Sequence, residues 1–230
     1  MLMEDKILNI LYPDGIKCLI CKSEFETKGD FCKACQKEIA FNNKNICQHC
    51  GTQIEGEGVC PICQSYKKVY ETARAPFLYE GHIKNLIHSF KYDNAKFLFE
   101  PLAKYMVEEY RKSNFNADLI IPIPLYKDRL KERGYNQSKL LAEEIGKQLN
   151  LSVCDCLERI KATPSQVNLT FKERQKNVEN AFKVKDKSYL HKRILLIDDV
   201  YTSGATIKEA CKTLKGAGKI YVLTLAHTKI

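Results

Sequence analysis

Four Cys-x-x-Cys pairs stand close together near the start of the sequence. The gaps between them are 10, 11 and 9 residues, and the pairs are Cys18/Cys21, Cys32/Cys35, Cys47/Cys50 and Cys60/Cys63. Two thiolates separated by two residues bind one metal ion from a tight turn, and two such pairs complete the tetrahedral site that zinc prefers. The eight cysteines therefore predict two structural zinc ions.

The spacing leaves two pairing schemes open. Sequential pairing, first with second and third with fourth, is favoured because shorter loops cost less closure entropy than a cross-braced arrangement. His49 lies between Cys47 and Cys50. Since eight cysteines satisfy two metal ions, we interpret His49 as a bystander and not as a ligand.

A second pattern combines an apolar run with two acids and a polar turn. Residues 194–197 are Ile-Leu-Leu-Ile, which is typical of a buried strand, and two aspartates follow. The hydroxyls and backbone N–H groups of the turn, at the start of a helix, suit a phosphate ester. The candidate site residues are Asp198, Asp199, Val200, Tyr201, Thr202, Ser203, Gly204, Ala205 and Thr206.

The elements that position these residues follow from hydrophobic periodicity. Helices are predicted over 81–92, 96–112, 137–149 (with Asn136 as its cap) and 205–216, and strands over 119–121, 194–197 and 220–225. A loop is expected after residue 121, because prolines at alternate positions interrupt a strand. Strands that alternate with helices predict an α/β fold with a mostly parallel sheet.

Composition and charge narrow the class of protein. The chain has 230 residues and no apolar run long enough to span a membrane, and its first residues do not resemble a secretory signal, so we expect a cytoplasmic protein. Residues 1–66 carry 7 basic and 9 acidic side chains, whereas residues 67–230 carry 30 and 19. We predict a zinc-ribbon module over 1–66, a linker over 67–77 and a main domain over 78–230, whose positive charge favours a polyanionic ligand.

Several of these segments resemble known sequences. Residues 194–206 resemble the phosphoribosyl-pyrophosphate signature of the type I phosphoribosyltransferases. Together with the cysteine pairs and the stretches 79–92, 133–137 and 166–182, they make the chain similar to the ComF/ComFC family. That resemblance implies a double zinc ribbon before a phosphoribosyltransferase-type α/β domain. It also implies an association with natural competence and the handling of incoming single-stranded DNA.

The resemblance further implies roles for single residues. Asp198 and Asp199 would bind the ribose hydroxyls, and residues 202–206 would hold the 5′-phosphate of phosphoribosyl pyrophosphate, bound with Mg²⁺. The segment 122–129 takes the place of a pyrophosphate loop, and 161–176 that of a mobile lid. The candidates from the loop are Lys127 and Arg129, and those from the lid are Lys161, Gln166 and Arg174. Arg133, which precedes the helix that Asn136 caps, is a further candidate for a phosphate contact.

The acceptor end of such a site is not recognisable in the sequence. A segment that covers and recognises the base (a hood) is not recognisable after the last predicted strand. Residues 78–117 could supply one, but they contain no pattern that identifies a particular base. Three functions therefore stay open: a phosphoribosyl transferase, a phosphoribosyl-pyrophosphate sensor, and a non-catalytic module that binds single-stranded DNA and docks a helicase or other competence protein. Cys154, Cys156 and Cys211 are interpreted as packing residues, as are the aromatic residues beside Lys91.

Overall fold

The computed structural model describes residues 17–25, 29–163 and 171–229. Its strands, in chain order, are β1 (Thr72–Arg74), β2 (Phe77–Leu78), β3 (Leu119–Pro122), β4 (Ser152–Val153), β5 (Leu157–Arg159), β6 (Phe182–Val184), β7 (Arg193–Tyr201) and β8 (Lys219–His227). The main sheet has the order β1-β8-β7-β3-β4, with β2 also on β8, and every pair in it is parallel. Strands β5 and β6 form a separate antiparallel pair. The predicted α/β class is confirmed.

Helices cover both faces of this sheet. They are α1 (Lys33–Lys37), α2 (Pro61–Gln64), α3 (Gly81–Tyr92), α4 (Phe99–Lys112), α5 (Lys127–Arg133), α6 (Gln137–Leu149), α7 (Phe171–Val178) and α8 (Ala205–Thr213), with a 3₁₀ turn at Lys96–Leu98. None of the helices in the described ranges is long and apolar enough to cross a bilayer.

Alternate residues of β7 face two separate hydrophobic cores. Leu195 and Ile197 pack with buried residues of α3, α4 and α6, whereas Ile194 and Leu196 pack with α7, α8 and the β5–β6 pair. The first ribbon joins the former core, and all four cysteines of the second ribbon join the latter. The two ribbons therefore pack against opposite faces of the sheet.

Most predicted elements are present, with shifted ends. Helices α3 and α6 match the predicted ranges, and Asn136 caps α6 by accepting a hydrogen bond of 3.1 Å from the Ser138 N–H. Strand β7 continues to residue 201, so the two aspartates lie inside the strand and not after its end. Helix α8 ends at residue 213, three residues earlier than predicted.

Two predicted irregular segments contain regular structure. The predicted loop 122–129 begins inside β3, where Pro122 pairs with Ile197, and its end forms the start of α5. No residue of α5 is buried, so it has no apolar periodicity to detect. The predicted linker 67–77 contains β1, a strand too short to give a period-two pattern. The predicted domain boundaries stay predictions.

Candidate zinc centres and ligand site

Each ribbon brings four thiol groups together. Within each set the Sγ atoms lie within 4.8 Å of one another, and the sets are Cys18, Cys21, Cys32, Cys35 and Cys47, Cys50, Cys60, Cys63. The Sγ–Sγ distance is 3.8 Å for both Cys21–Cys32 and Cys50–Cys60. A tetrahedral site with Zn–S bonds of about 2.3 Å has sulfur atoms about 3.8 Å apart. The arrangement confirms sequential pairing and two Cys₄ sites that suit structural zinc.

The second ribbon is the more deeply embedded of the two. All of its cysteines are buried, whereas Cys21 of the first ribbon is exposed. Burial raises the pKa of Cys47, but several hydrogen bonds to its thiolate together outweigh burial and lower the pKa to about 7. One of them is donated by the N–H of Cys60 to Cys47 Sγ at 3.3 Å. A Cβ on Gly51 would lie 2.6 Å from the carbonyl oxygen of Ala73 in β1, so the ribbon approaches the sheet edge closely.

Two carboxylates lie near the carboxyl end of β7, at the centre of the sheet. Asp198 Oδ1 accepts hydrogen bonds of 3.0 Å from Ser138 Oγ and 2.9 Å from the Asp199 N–H. Asp199 Oδ2 lies 2.9 Å from Lys91 Nζ, and these two side chains are only 15% and 17% exposed. Helices α3 and α6 thus each supply one partner to the acids.

This environment changes the ionisation of the site. Burial, followed by the negative charge of Asp199, raises the pKa of Asp198 to about 7. Burial opposes the charge on Lys91, but its carboxylate neighbour Asp199 outweighs burial and raises the pKa of Lys91. The site therefore contains one firm ion pair and a second acid that titrates near neutrality.

The raised pKa of Asp198 predicts that Asp198→Asn increases the stability of the folded protein, by an amount that depends on pH. Between its unfolded pKa of about 4 and its folded pKa of about 7, the folded state binds more protons, so the contribution of Asp198 to stability falls as pH rises. An asparagine Oδ1 still accepts both hydrogen bonds and never ionises. We expect the variant to melt at a higher temperature than wild type at pH 8, with the difference shrinking towards pH 5, in thermal unfolding scans.

Asp118→Asn is the control, because this substitution should decrease the stability and not increase it. The hydrogen bonds from Arg193 lower the pKa of Asp118 to about 2, so its contribution is present above pH 4 and is lost only below that. This variant should be less stable than wild type at both pH 5 and pH 8. A constant difference between wild type and Asp198→Asn across that range would contradict a raised pKa at Asp198.

The predicted phosphate turn connects β7 to α8. Thr202, Ser203 and Thr206 are half-buried and Ala205 is buried. Gly204 precedes α8 with a φ of 72°, a left-handed conformation that favours glycine. Lys208 N–H donates to the Gly204 carbonyl at 2.8 Å, which closes the first turn of the helix. Of the other candidates, Val200 is half-buried and Tyr201 is buried.

Two of the predicted cations lie in a cavity beside the lysine that pairs with Asp199. Arg129 and Arg133 line one cavity of about 430 Å³ together with Lys91, which contacts Asp199. The guanidinium of Arg133 also lies 5.0 Å from the Tyr92 ring centroid. Arg129 and Arg133 therefore share a cavity with the lysine that pairs with Asp199.

Lys127 and Lys161 do not line that cavity. Lys127 is exposed and lines a different cavity, which is about 530 Å³ and also contains Arg159. Lys161 donates to the Glu179 carbonyl at 3.3 Å. Gln166 lies outside the described residues, and Arg174 occupies the middle of α7. A lid role for these residues stays a prediction.

Sequence reasoning missed three residues that contact or influence the acids. The aromatic residues beside Lys91 were interpreted as packing residues, but Lys91 and Ser138 were given no role in the site. The positive charge of Arg159 also lies close enough to Asp198 to interact with it. Of these three residues, only Lys91 could have been noticed in the sequence. A lysine on the buried side of an amphipathic helix needs an acidic partner to neutralise its charge.

The other cysteines differ in their surroundings. Cys211 lies in α8 and is buried in the core against which this helix packs, as predicted. Cys156 is buried and Cys154 half-buried, and their Sγ atoms lie within 4.8 Å of a carboxylate oxygen of Asp186. Cys154 Sγ is also 3.0 Å from Ser188 Oγ. Cys154 and Cys156 therefore belong to a small polar cluster with Asp186 and Ser188, in addition to their predicted role in packing.

Comparisons with known proteins agree with the ribbon. Residues 7–64 match the model of the double zinc ribbon domain. The chain is 30% identical over 225 residues to Competence protein F of Haemophilus influenzae, covering 93% of this chain and 97% of the relative. It is 26% identical over 206 residues to the DNA utilization protein YhgH of Escherichia coli O157:H7, covering 86% and 90%.

One solved structure illustrates the more distant similarities. The glutamine phosphoribosylpyrophosphate amidotransferase of B. subtilis gives a TM-score of 0.38 at 17% identity, covering 55% of this chain and 25% of that one. The full-length similarity to Competence protein F, together with the two Cys₄ ribbons and the mostly parallel sheet, settles the family. The chain belongs to the competence protein F (ComF/ComFC) family.

Proposed function

We propose that this protein binds phosphoribosyl pyrophosphate with Mg²⁺ through the carboxyl end of β7 and the turn that follows it. The observation that carries the proposal is the placement of Asp198 and Asp199 before a hydroxyl-rich turn at the start of α8. Asp199 pairs with Lys91, which lines a cavity together with Arg129, Arg133 and Glu132. Names of relatives support a role in competence or DNA utilization as the setting of this activity.

Each part of the site suits one part of that ligand. The N–H groups and hydroxyls of residues 202–206 suit the 5′-phosphate, because a helix start stabilises an anion. The Asp199 oxygen that is not paired with Lys91 is suited to accept from a ribose hydroxyl. Arg129, Arg133 and Lys91 give the neighbouring cavity the positive charge that a diphosphate needs.

The same residues suit departure of pyrophosphate from C1 of the ribose. Asp198 and Asp199 supply the carboxylate oxygens that Mg²⁺ accepts alongside phosphate oxygens, and the bound ion would neutralise charge on the leaving group. Negative charge grows on the pyrophosphate as the bond to C1 breaks, and Arg129 and Arg133 would stabilise it. An amine or base nitrogen would then form the new bond to C1. Binding is the primary proposal, and transfer is its extension.

Calorimetric titration of the zinc-loaded protein with phosphoribosyl pyrophosphate, with and without Mg²⁺, tests the proposal. We expect binding that requires Mg²⁺, and an affinity at least about tenfold lower in Asp199→Asn, because a neutral amide accepts hydrogen bonds less strongly than a carboxylate. Asparagine still accepts a hydrogen bond from Lys91, so the variant should remain folded.

Asp118→Asn is the matched control for this titration as well. Asp118 hydrogen-bonds Arg193 at the opposite end of the same strand, far from the turn. It should leave the affinity unchanged. Equal affinities for wild type and Asp199→Asn would show that the acids do not contact the ligand. Release of pyrophosphate on adding bases or amines would establish transfer in a separate assay.

A second function is favoured by a different cavity. It measures about 670 Å³ and lies between the linker segment and α8, where the 43%-exposed ring of Tyr66 lies 4.3 Å from Lys208 Nζ. Three further lysines line it, namely Lys67, Lys176 and Lys212. Lysines bind phosphates and exposed aromatic rings stack bases, so this surface suits single-stranded DNA. No binding of phosphoribosyl pyrophosphate, together with salt-sensitive binding of an oligonucleotide, would favour this function.

A further inference from the structure

Four aromatic rings connect the second zinc ribbon to the phosphate turn. His49, inside the Cys47–Cys50 knuckle, stacks on Tyr70 with ring centroids 4.4 Å apart. The Tyr70 hydroxyl shares a hydrogen bond of 2.8 Å with the Tyr201 hydroxyl. The Tyr201 ring in turn stacks on His227 at 4.4 Å. These contacts form a continuous series from His49, which lies between two zinc-ligand cysteines, to Tyr201, the last residue of β7, and its neighbour His227.

The connection lies entirely inside the protein. The four residues are 5%, 5%, 2% and 1% exposed, in the order His49, Tyr70, Tyr201 and His227. A buried hydroxyl is costly unless it has a hydrogen-bond partner. For both tyrosines the partner that the structure shows is the other tyrosine. The pair therefore fixes where each ring lies, more narrowly than apolar packing would.

Tyr201 lies directly beneath the turn. A Cβ placed on Gly204 would meet the Tyr201 hydroxyl oxygen at 2.2 Å, so the backbone of the turn rests against that hydroxyl. A shift of the Tyr201 ring would therefore move the N–H groups of residues 202–206. These are the groups that the proposed function assigns to the 5′-phosphate.

The other end of the connection is equally fixed. The carbonyl of His49 accepts a hydrogen bond of 2.7 Å from the Ala73 N–H, and one of 3.2 Å from the Thr72 hydroxyl. Both donors belong to β1, which begins two residues after Tyr70. The knuckle, Tyr70 and the sheet edge therefore form one unit, whose position depends on a folded second ribbon.

We propose that Tyr70 is a positioning residue for the phosphate turn, through which the second zinc ribbon sets the geometry of the ligand site. The inference rests on the proposed function, because it concerns that same site. It gives the ribbon a role beyond its own folding: its knuckle holds Tyr70, Tyr70 holds Tyr201, and Tyr201 supports the turn. Residue His49, which binds no metal in this arrangement, supports the ring of Tyr70.

Tyr70→Phe tests this with the loss of a single oxygen atom. Two measurements apply to the zinc-loaded protein: calorimetric affinity for phosphoribosyl pyrophosphate with Mg²⁺, and amide hydrogen exchange of residues 202–206 without ligand. We expect the affinity to fall about 3- to 10-fold, as for the loss of one buried hydrogen bond, and exchange in the turn to become several-fold faster. Two zinc ions per chain should remain.

Tyr189→Phe is the matched control. Tyr189 is as buried as Tyr70, and its hydroxyl donates one hydrogen bond of 3.0 Å to the Lys215 carbonyl, away from the turn. It should leave both the affinity and the exchange of residues 202–206 unchanged. Tyr201→Phe should lower the affinity at least as much as Tyr70→Phe, because it removes the same hydrogen bond and also the hydroxyl against which the turn rests. The double variant should lose no more than Tyr201→Phe alone, because both lack the same hydrogen bond.

The two readouts separate failure of this inference from failure of the proposed function. If wild type does not bind phosphoribosyl pyrophosphate, the proposed function is wrong, and hydrogen exchange alone decides the role of Tyr70. If exchange in the turn is the same in Tyr70→Phe, Tyr189→Phe and wild type, Tyr70 does not position the turn. Additive losses in the double variant would also overturn the inference.

Discussion

Replacing Cys50 by serine should remove one zinc ion and lower the melting temperature of the whole protein by about 20 °C or more. Cys50 is 1% exposed and belongs to the same core as Tyr70, Tyr201 and Ile207, so the second ribbon and the main domain share their packing. A structural zinc contributes about 10 kcal/mol or more to folding, and 1 kcal/mol shifts the melting temperature of a chain of this size by about 2–4 °C. Metal analysis and thermal unfolding measure both effects.

Cys21→Ser is the matched comparison, because it shows whether losing zinc from the first ribbon destabilises the protein as much as losing it from the second. It also removes one ligand from a Cys₄ site, but Cys21 is exposed. We expect it to cost one zinc ion and fewer degrees than Cys50→Ser, and to leave the affinity for phosphoribosyl pyrophosphate within about twofold of wild type. Equal decreases in melting temperature would mean that the second ribbon is no more strongly coupled to its core than the first, despite its deeper burial.

The zinc sites were predictable because their chemistry is local. A Cys-x-x-Cys pair needs only a tight turn to present two thiolates, and short loops bring neighbouring pairs together. The acids and the turn at residues 198–206 were predictable for a similar reason. A buried strand, two carboxylates and the start of a helix are consecutive in the chain, so their order along the sequence is also their order in space.

The partners of the acids were not predictable, because they come from distant elements. Lys91 lies at the end of α3 and Ser138 at the start of α6, and only the order of the strands brings both to β7. Tyr70 was hidden in a segment interpreted as a linker, where β1 is three residues long. A contact that depends on which strands are neighbours leaves no periodic signal in either segment.

Gly204→Ala should nearly abolish ligand binding, with an affinity about 100-fold lower than that of wild type in the same titration. The φ of 72° at residue 204 is unfavourable for alanine, and the new Cβ would lie 2.2 Å from the Tyr201 hydroxyl, whose ring is held by Tyr70 and His227. The turn must therefore move by about 1 Å, which is enough to misplace its donors relative to a phosphate.

Gly216→Ala controls for backbone strain alone. Its φ is 88°, and its Cβ would lie 2.7 Å from a methyl group of Leu190, outside the ligand site. We expect a lower melting temperature in both glycine variants but a lost affinity only in Gly204→Ala. If the two variants bind the ligand equally well, the phosphate is not held by the turn. A selective loss would instead place the phosphate against the turn itself, since both variants have comparable strain and only one lies in the proposed site.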